Sequence, residues 1–457
     1  MEKFKSFIVE EKDIEKYRVL VISTEHGDNS ITAERLEDEA KKLGFEFYVV
    51  KMNGSYIKFD NGKYTIHKDD DTKGFELNSD NTVCFMRGTP SRDSYLDLVS
   101  QLERIGIPMV NSRVCLERAA DKYRTYLRLK AFGLDQPKTV LCPSPDAAEI
   151  AFENLDTKFP IILKTLRGSK GIGVLFVESE RSLNSLIQTL YKMDTEADLL
   201  MQEYIKTDYD VRAIVLDGKV VAAMRRNVVE GDFRSNASQG AKVESIELTK
   251  LEIDQCIHAA KSIGGIFTGV DFIPSKNRET QNPLFLEVNS SPGTESIEEA
   301  TGLNISKILL EYFKDKKKRY TVPNDCGYYE SVTIKPFGTM VAKFDTGNSI
   351  NCTLHAEDVK IEGNQVTFKH KDKTYKTKHY GKYTSVTGGG EDDRYIVKYD
   401  MEFAGTMYKN IEFGLDNRDR MNTPVLLNRK TMRKLNVIVD PQRRFMVTTK
   451  AEVKEGE

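Results

Sequence analysis

The sequence has no apolar run approaching the roughly 18 residues that a membrane-spanning helix needs. Its opening stretch, MEKFKSFIVEEKDIEKY, is charged throughout and lacks the apolar segment of a secretory signal. A cytoplasmic location without a membrane partner is therefore expected. Cysteine is sparse: Cys84, Cys115, Cys142, Cys256, Cys326 and Cys352 are widely scattered and form no Cys-x-x-Cys pair. That spacing signals neither a disulfide framework nor a thiolate zinc site, and reduced, buried thiols are expected. No His-Glu-x-x-His occurs, and His355, His370 and His379 do not have the spacing of a helical zinc site. Neither sign of charge dominates, with Lys plus Arg at 68 against Asp plus Glu at 70 and a net charge of −2. No global field selects nucleic acid or an anionic membrane, so the partners are expected to be small or local.

What the chain does have is length. Its 457 residues exceed what one hydrophobic core usually serves, and two to four domains are expected. YRVLVISTE (17–25) is an apolar run, and SITAERLEDEAKKLGFEFYVVKM after it reads as a helix stopped at Gly44 and a second strand. NTVCFMRG (81–88) adds a strand and YLDLVSQLERIGIPMVN a helix feeding another. This alternation predicts a parallel sheet with covering helices in a first domain over 1–115. Residues 51–80, polar and Asp-rich, read only as an inserted hairpin or loop. A second, α+β domain over 116–315 has strands expected at 160–165, 172–178, 199–205, 211–216, 219–225, 268–273 and 284–289. KDKKKRYTVPND, charged and without periodicity, marks a linker at 316–327. From 328 to 457 the chain is strand-rich, with Gly, Asn and Asp turns, and a small all-β domain is expected.

Three stretches of the second domain carry chemistry. FPIILKTLRGSKGIGVLFVE (159–178) is a strand, a glycine-rich loop and a strand. Gly168, Gly171 and Gly173 let the backbone approach a polyanion, and Lys164 and Lys170 supply positive charge, though a plain hairpin turn reads the same way. TGVDFI (268–273) and LFLEVNSSPG (284–293) form an acidic pair of strands. Strict alternation would set Phe285, Glu287 and Asn289 on one face; if the strands pair, Asp271 joins them as a third oxygen donor suited to Mg²⁺. RRNVVEGDFRSNASQG (225–240) clusters Arg225, Arg226 and Arg234 beside Glu230, Asp232, Ser235 and Asn236, types that bind carboxylate, phosphate or ammonium.

Together with ADKYRT (120–125), LMQEYIK (200–206) and YDVRAIV (209–215), these stretches resemble the ATP-grasp carboxylate–amine ligases, specifically the RimK-type branch, over roughly residues 17–313. The resemblance implies a multidomain α/β and α+β fold: an ATP-grasp domain preceded by a parallel-sheet pre-ATP-grasp domain. It implies ATP as co-substrate and two Mg²⁺ ions, with Mn²⁺ able to replace them. Lys122 and Lys164 correspond to the phosphate lysines. Residues Gly168, Ser169, Lys170, Gly171 and Gly173 correspond to the loop over the triphosphate. Gln202, Glu203, Tyr204 and Ile205 match the adenine-holding segment, Asp210 a nucleotide-side acid, and Asp271, Glu287 and Asn289 the metal ligands. Arg225, Arg234, Ser235 and Asn236 correspond to residues facing the acceptor and the amino acid. The implied reaction phosphorylates a carboxylate, and an amine then attacks the acylphosphate. A glutamate-like amino acid is the expected donor of that amine; the acceptor is a peptide, a protein C-terminus or a small acid.

AKFDTGNSINCTLHA (342–356) and TPVLLNRKTMRKLNVIVD (423–440) resemble a retropepsin-like domain, often called an ATP-dependent zinc protease, over roughly 328–448. By that resemblance Asp345 is a catalytic carboxylate, with Thr346 and Gly347 supporting its turn. Aspartic peptidases need two carboxylates sharing a proton. This chain has one Asp-Thr-Gly, so activity implies a two-fold dimer, and an even-numbered homo-oligomer is expected. A binding or oligomerisation module without catalysis is the alternative. Asn348 and Asn428 stand where the family has Ala and Gly, and Asn428 is expected to survive there by tolerating a left-handed turn.

Overall fold

The structure is a computed structural model that describes residues 17–24, 31–61, 63–68, 71–90, 93–166, 173–194, 198–228, 242–387 and 390–449. Two compact units meet along the chain between Thr321 and Val322.

The first unit begins with a parallel sheet in the spatial order Glu46–Lys51, Arg18–Ser23, Thr82–Arg87, Met109–Val110. Strands covered on both faces are expected to be continuously apolar, and Val19, Leu20, Val21 and Ile22 are all fully buried. Alternation sends Val19 and Val21 against Leu36 and Ala40 of the Ile31–Lys42 helix. Leu20 and Ile22 pack instead against Leu98 and Leu102 of the Asp93–Ile105 helix. The two helices therefore cover opposite faces. Residues 55–77 form a three-stranded antiparallel meander, Ser55–Asp60, Lys63–Lys68 and Phe75–Leu77, rather than a single hairpin or loop. Ile66 and Phe75 bury it in the same core as Leu20.

Two antiparallel sheets follow. One runs Val174–Val177, Ile161–Thr165, Leu199–Glu203, Thr139–Cys142. The Ala148–Leu155 and Glu180–Met193 helices share its core through Leu155, Leu183 and Ile187. The other runs Val243–Ser245, Lys219–Asn227, Tyr209–Leu216, Phe267–Ile273, Leu284–Asn289. One face of this sheet packs Val211, Ala213 and Phe272 against Cys256, Ala259 and Ile263 of the Lys250–Ile263 helix. That helix opens with a capping box in which Thr249 and Glu252 satisfy each other's backbone N–H groups. Among the described residues no helix is long and apolar enough to cross a membrane.

The second unit is a barrel. Its strands run Tyr329–Ile334, Gly338–Phe344, Val425–Leu427, Cys352–His355, Thr406–Asp416, Gly390–Phe403, and a pairing of Thr333 and Ile334 with Glu402 and Met401 closes the ring. Val332, Ala342, Leu354, Val397, Phe413 and Val425 fill it. Asn324–Gly327, inside the expected linker, is a strand paired in parallel with Val437–Asp440.

Candidate active site

The site in the first unit is built on the face of the Val243–Asn289 sheet that the Lys250–Ile263 helix does not cover. Asp271 lies directly opposite Glu287, and Gly269 opposite Asn289. Beyond Glu287 the register shifts, so that Phe272 pairs with Phe285 and Leu286 is an extra residue. Phe285 consequently does not share a face with Glu287 and Asn289: it is fully buried against Phe272 in the helix-covered core. The bulge is the physical reason, because it reverses the odd–even alternation in mid-strand. Glu287, with its side chain 41 % exposed, accepts a hydrogen bond from Asn289 Nδ2 at 2.9 Å.

Asp271 is buried and held by two guanidinium groups. Arg212 donates from Nε to Oδ1 at 2.7 Å and from Nη2 to Oδ2 at 2.6 Å, and Arg226 Nη2 donates to Oδ2 at 3.0 Å. Burial opposes ionisation of Asp271, but the two arginines outweigh it and hold the carboxyl well below the usual range. Arg226 also forks onto Asp210, at 2.7 and 2.8 Å. Asp210 is thus a buried partner of Arg226 rather than an acid presented to a nucleotide. Arg225, expected to face the acceptor, is opposite Val211 and so on the helix-covered side, paired with Glu244 and 5.8 Å above the Tyr209 ring. Strand alternation gives the site Arg226 instead. Arg212 lies within YDVRAIV, where its parity with Asp210 on a strand was the available signal.

Two lysines approach Glu287, Lys164 from the other sheet and Lys122 from a helix. Lys164, in the Ile161–Thr165 strand, donates to Gln202 Oε1 at 2.7 Å, and Gln202 Nε2 in turn donates to Thr139 at 2.8 Å. Burial lowers Lys164 to about 8, with Glu287 opposing and Lys122 reinforcing the shift. Lys122, the first residue of the Lys122–Ala131 helix, is also lowered by burial against the pull of Glu287. A narrow recess here is lined by Lys122, Tyr126, Gln136, Thr139, Lys164, Leu200, Gln202 and Leu286. Glu203 follows Gln202 at the strand end, where its carboxylate accepts from the Lys138 N–H at 2.9 Å. Tyr204 meets Phe176 edge-on at 5.0 Å, and Ile205 is half-buried beside it.

Gly173 closes the glycine-rich loop. Its φ is +80°, its carbonyl accepts from Thr165 N at 3.0 Å, and a Cβ there would lie 2.4 Å from Thr165 Oγ1. Gly168, Ser169, Lys170, Gly171, Arg234, Ser235 and Asn236 lie outside the described residues.

Hard oxygen donors from Asp271, Glu287 and Asn289 on one sheet face suit Mg²⁺, and the lysine-lined recess beside them suits a polyphosphate. A carboxylate offers about four lone-pair sites; three guanidinium bonds already occupy Asp271. A cation there therefore shares Asp271 with the arginines.

Asn111 joins these strands to the parallel sheet. Fully buried, it donates from Nδ2 to Phe267 O at 2.6 Å and Ser290 O at 2.7 Å, while its Oδ1 accepts from Ile266 N at 2.7 Å and Phe267 N at 3.0 Å.

In the barrel, Asp345 ends the Gly338–Phe344 strand, and its N–H donates to Leu427 O at 3.0 Å. Asp345 Oδ1 accepts from Gly347 N at 2.9 Å, and Thr346 and Gly347 are exposed. Asn428 supports the loop without a left-handed turn: its φ is −95°. It caps the Arg429–Leu435 helix by accepting from Thr431 N, and its Nδ2 donates to Ile350 O at 2.9 Å. An amide does here what a bare backbone could not.

His355, Glu357 and Asp419 have ligand atoms within 4.8 Å of one another. Zinc does not fit the bonding. The Arg418 N–H donates to His355 Nδ1 at 3.0 Å, so the proton of the neutral ring sits on Nε2, the atom facing Glu357 at 3.2 Å and Asp419 at 3.5 Å. A ligating histidine has the opposite arrangement, donating from its second nitrogen.

Residues 119–313 match the RimK-like ATP-grasp domain family, and residues 326–450 match the family of the retropepsin-like aspartic endopeptidase RimB. A probable alpha-L-glutamate ligase of Teredinibacter turnerae is 32 % identical over 299 residues, covering 65 % of this chain and 95 % of that protein. A probable alpha-L-glutamate ligase of Methanococcoides burtonii is 33 % identical over 289 residues, 63 % of this chain and 92 % of its own length. Among solved structures, the ATP-grasp ligase PsnB complexed with minimal precursor aligns at a TM-score of 0.51 with 20 % identity, over 66 % of this chain and 99 % of that one. The macrocyclase MdnC of Microcystis aeruginosa, bound with precursor peptide MdnA, aligns at 0.50 with 14 % identity, over 64 % of this chain and 98 % of its own. These two share the ATP-grasp fold. The chain belongs to the RimK-like ATP-grasp ligases, with a retropepsin-like domain of the RimB type following in the same polypeptide.

Proposed function

We propose that the chain joins glutamate, or a closely related amino acid, to a carboxylate acceptor with ADP formation, and that its barrel hydrolyses related peptide bonds. The observation that carries the ligase half is the convergence of Lys122 and Lys164 on Glu287, which is paired across the strands with Asp271. Lys122 and Lys164 would neutralise the triphosphate; Asp271, Glu287 and Asn289 would hold two Mg²⁺ ions. The bound metal supplies charge stabilisation of the transferred phosphoryl group. Gln202 sets the Lys164 ammonium in place, and the segment Glu203–Ile205 would cradle the base. Among the described residues, Arg212 and Arg226, aligned beside Asp271, are placed to steady the anionic tetrahedral centre that forms when the amine attacks the acylphosphate.

Glutamate is favoured by the relatives, and a peptide, a protein C-terminus or a small acid remains the acceptor class. For the barrel, Asp345 on a tied turn with Thr346 exposed supports an aspartic peptidase completed by a second copy of the chain, and hence an even-numbered homo-oligomer. The test is ATP- and Mg²⁺-dependent ADP release with each amino acid in turn, with product masses read from the same samples. Glutamate-dependent ADP with added glutamate masses is expected; equal ADP release with and without any amino acid would refute the ligase. Asp345→Asn should keep ligation and lose hydrolysis, and a purely monomeric chain by light scattering would refute the peptidase.

A further inference from the structure

The helices that follow Arg18–Ser23 and Thr82–Arg87 leave to opposite faces of the parallel sheet. In open α/β sheets ligands bind at such a switch point, beyond the carboxyl ends of the two strands. Thr24 N donates there to Arg87 O at 3.0 Å, and Gly88 N to Ser291 Oγ at 2.9 Å. Arg87, only 6 % exposed, donates from Nη2 to Pro292 O at 3.0 Å. Its Nε is buried and has no acceptor among the described residues. No carboxylate among them pairs with it, and Glu295 Oε1 accepts instead from Thr32 at 3.1 Å. Burial lowers its pKa to about 10, with Glu295 opposing, so the guanidinium stays charged at neutral pH. A guanidinium carries five N–H donors, and buried charges are ordinarily paired.

The position adds meaning to the vacancy in its bonding. Pro292, whose carbonyl Arg87 holds, packs over Gly269, where an added Cβ would lie 2.9 Å from Pro292 Cβ and 3.8 Å from Arg212 Nε. Pro292 thus touches both Arg87 and Gly269, the neighbour of the arginine that grips Asp271.

We propose that Arg87 is the anchor of a substrate-carboxylate subsite, a reading that rests on the ligase function above. The carboxylate supplies the missing counter-charge and the acceptor for Nε. It belongs either to the amino acid or to the acceptor acid.

The test titrates L-glutamate and glutarate, the second lacking the amine, into the full chain with ADP and Mg²⁺ by calorimetry. Arg87→Met is expected to weaken binding about ten- to a hundred-fold, as loss of a charge-assisted bond does, while the unliganded melting temperature holds or rises because an unpaired buried charge is gone. ADP affinity should not move. Arg87→Lys keeps the charge and should recover part of the carboxylate affinity. Binding of both acids places the carboxylate on either substrate; binding of glutamate alone assigns it to the amino acid. Arg87→Met that melts lower or fails to fold, with carboxylate affinity unchanged in Arg87→Lys, would make Arg87 a structural staple and overturn the proposal. So would a wild type that binds ADP yet neither acid. Loss of ADP binding in the wild type would instead count against the ligase reading itself.

Discussion

Asn111→Ala should be among the most damaging single changes in the first unit. The amide satisfies four buried backbone groups, two N–H donors and two carbonyls, at 2.6–3.0 Å. Left unsatisfied at about 1–3 kcal/mol each, they would cost about 4–12 kcal/mol. The space vacated by the amide is polar and can admit water, so a loss of about 3–5 kcal/mol is expected. Against a typical total of about 5–15 kcal/mol this leaves the unit marginal. Asn111→Asp has nearly the same shape but turns two donors into lone pairs facing Phe267 O and Ser290 O, and it should be comparably unstable. The assay is urea unfolding of the full chain, with the transition of each unit fitted separately. Because Ser290 follows Asn289, turnover of any folded Asn111→Ala should fall further than its nucleotide affinity. A loss below about 1 kcal/mol, or an Asp variant as stable as the wild type, would show that the strands keep their place without this amide.

Three further outcomes follow from the site. Nucleotide affinity should weaken about tenfold between pH 7 and pH 9, because the Lys164 ammonium is lost as pH rises through about 8; calorimetry should show the effect flattened in Lys164→Arg, and a flat wild-type profile would refute the assignment. Asp271→Asn leaves Arg212 and Arg226 buried without their shared anion and should cost about 3–5 kcal/mol in thermal or urea unfolding, whereas Asp210 alone sufficing would leave the melting temperature unchanged. The chain should purify without stoichiometric zinc by elemental analysis, and zinc that is bound and lost in His355→Ala would overturn the tautomer argument at Arg418.

Much of this was legible in the sequence for a physical reason: continuous apolar runs such as Val19–Ile22 and Ile161–Leu163 have few alternative structures, and Glu287 in an otherwise apolar stretch demands an explanation. The site was less legible where one residue changes the parity of a strand. Arg225 and Arg226 are adjacent and chemically identical, and only the register against Asp210 and Val211 tells which one reaches Asp271. The meander at 55–77 was hidden because its strands alternate apolar with Lys and Asp, which reads as a polar loop until Ile66 is found in the core. Arg87 gave no signal of its own, since a buried arginine at a strand end is defined by a partner 205 residues away, the carbonyl of Pro292.

The extra residue at Leu286 makes the Leu284–Asn289 strand a composite of two reading frames. Upstream, odd positions such as Phe285 belong to the core; downstream, odd positions belong to the cleft. Removing that one residue would restore a regular ladder with Glu287 still opposite Asp271 and Phe285 still opposite Phe272, so the extra residue lengthens the strand between core and cleft without moving either side chain to the other face.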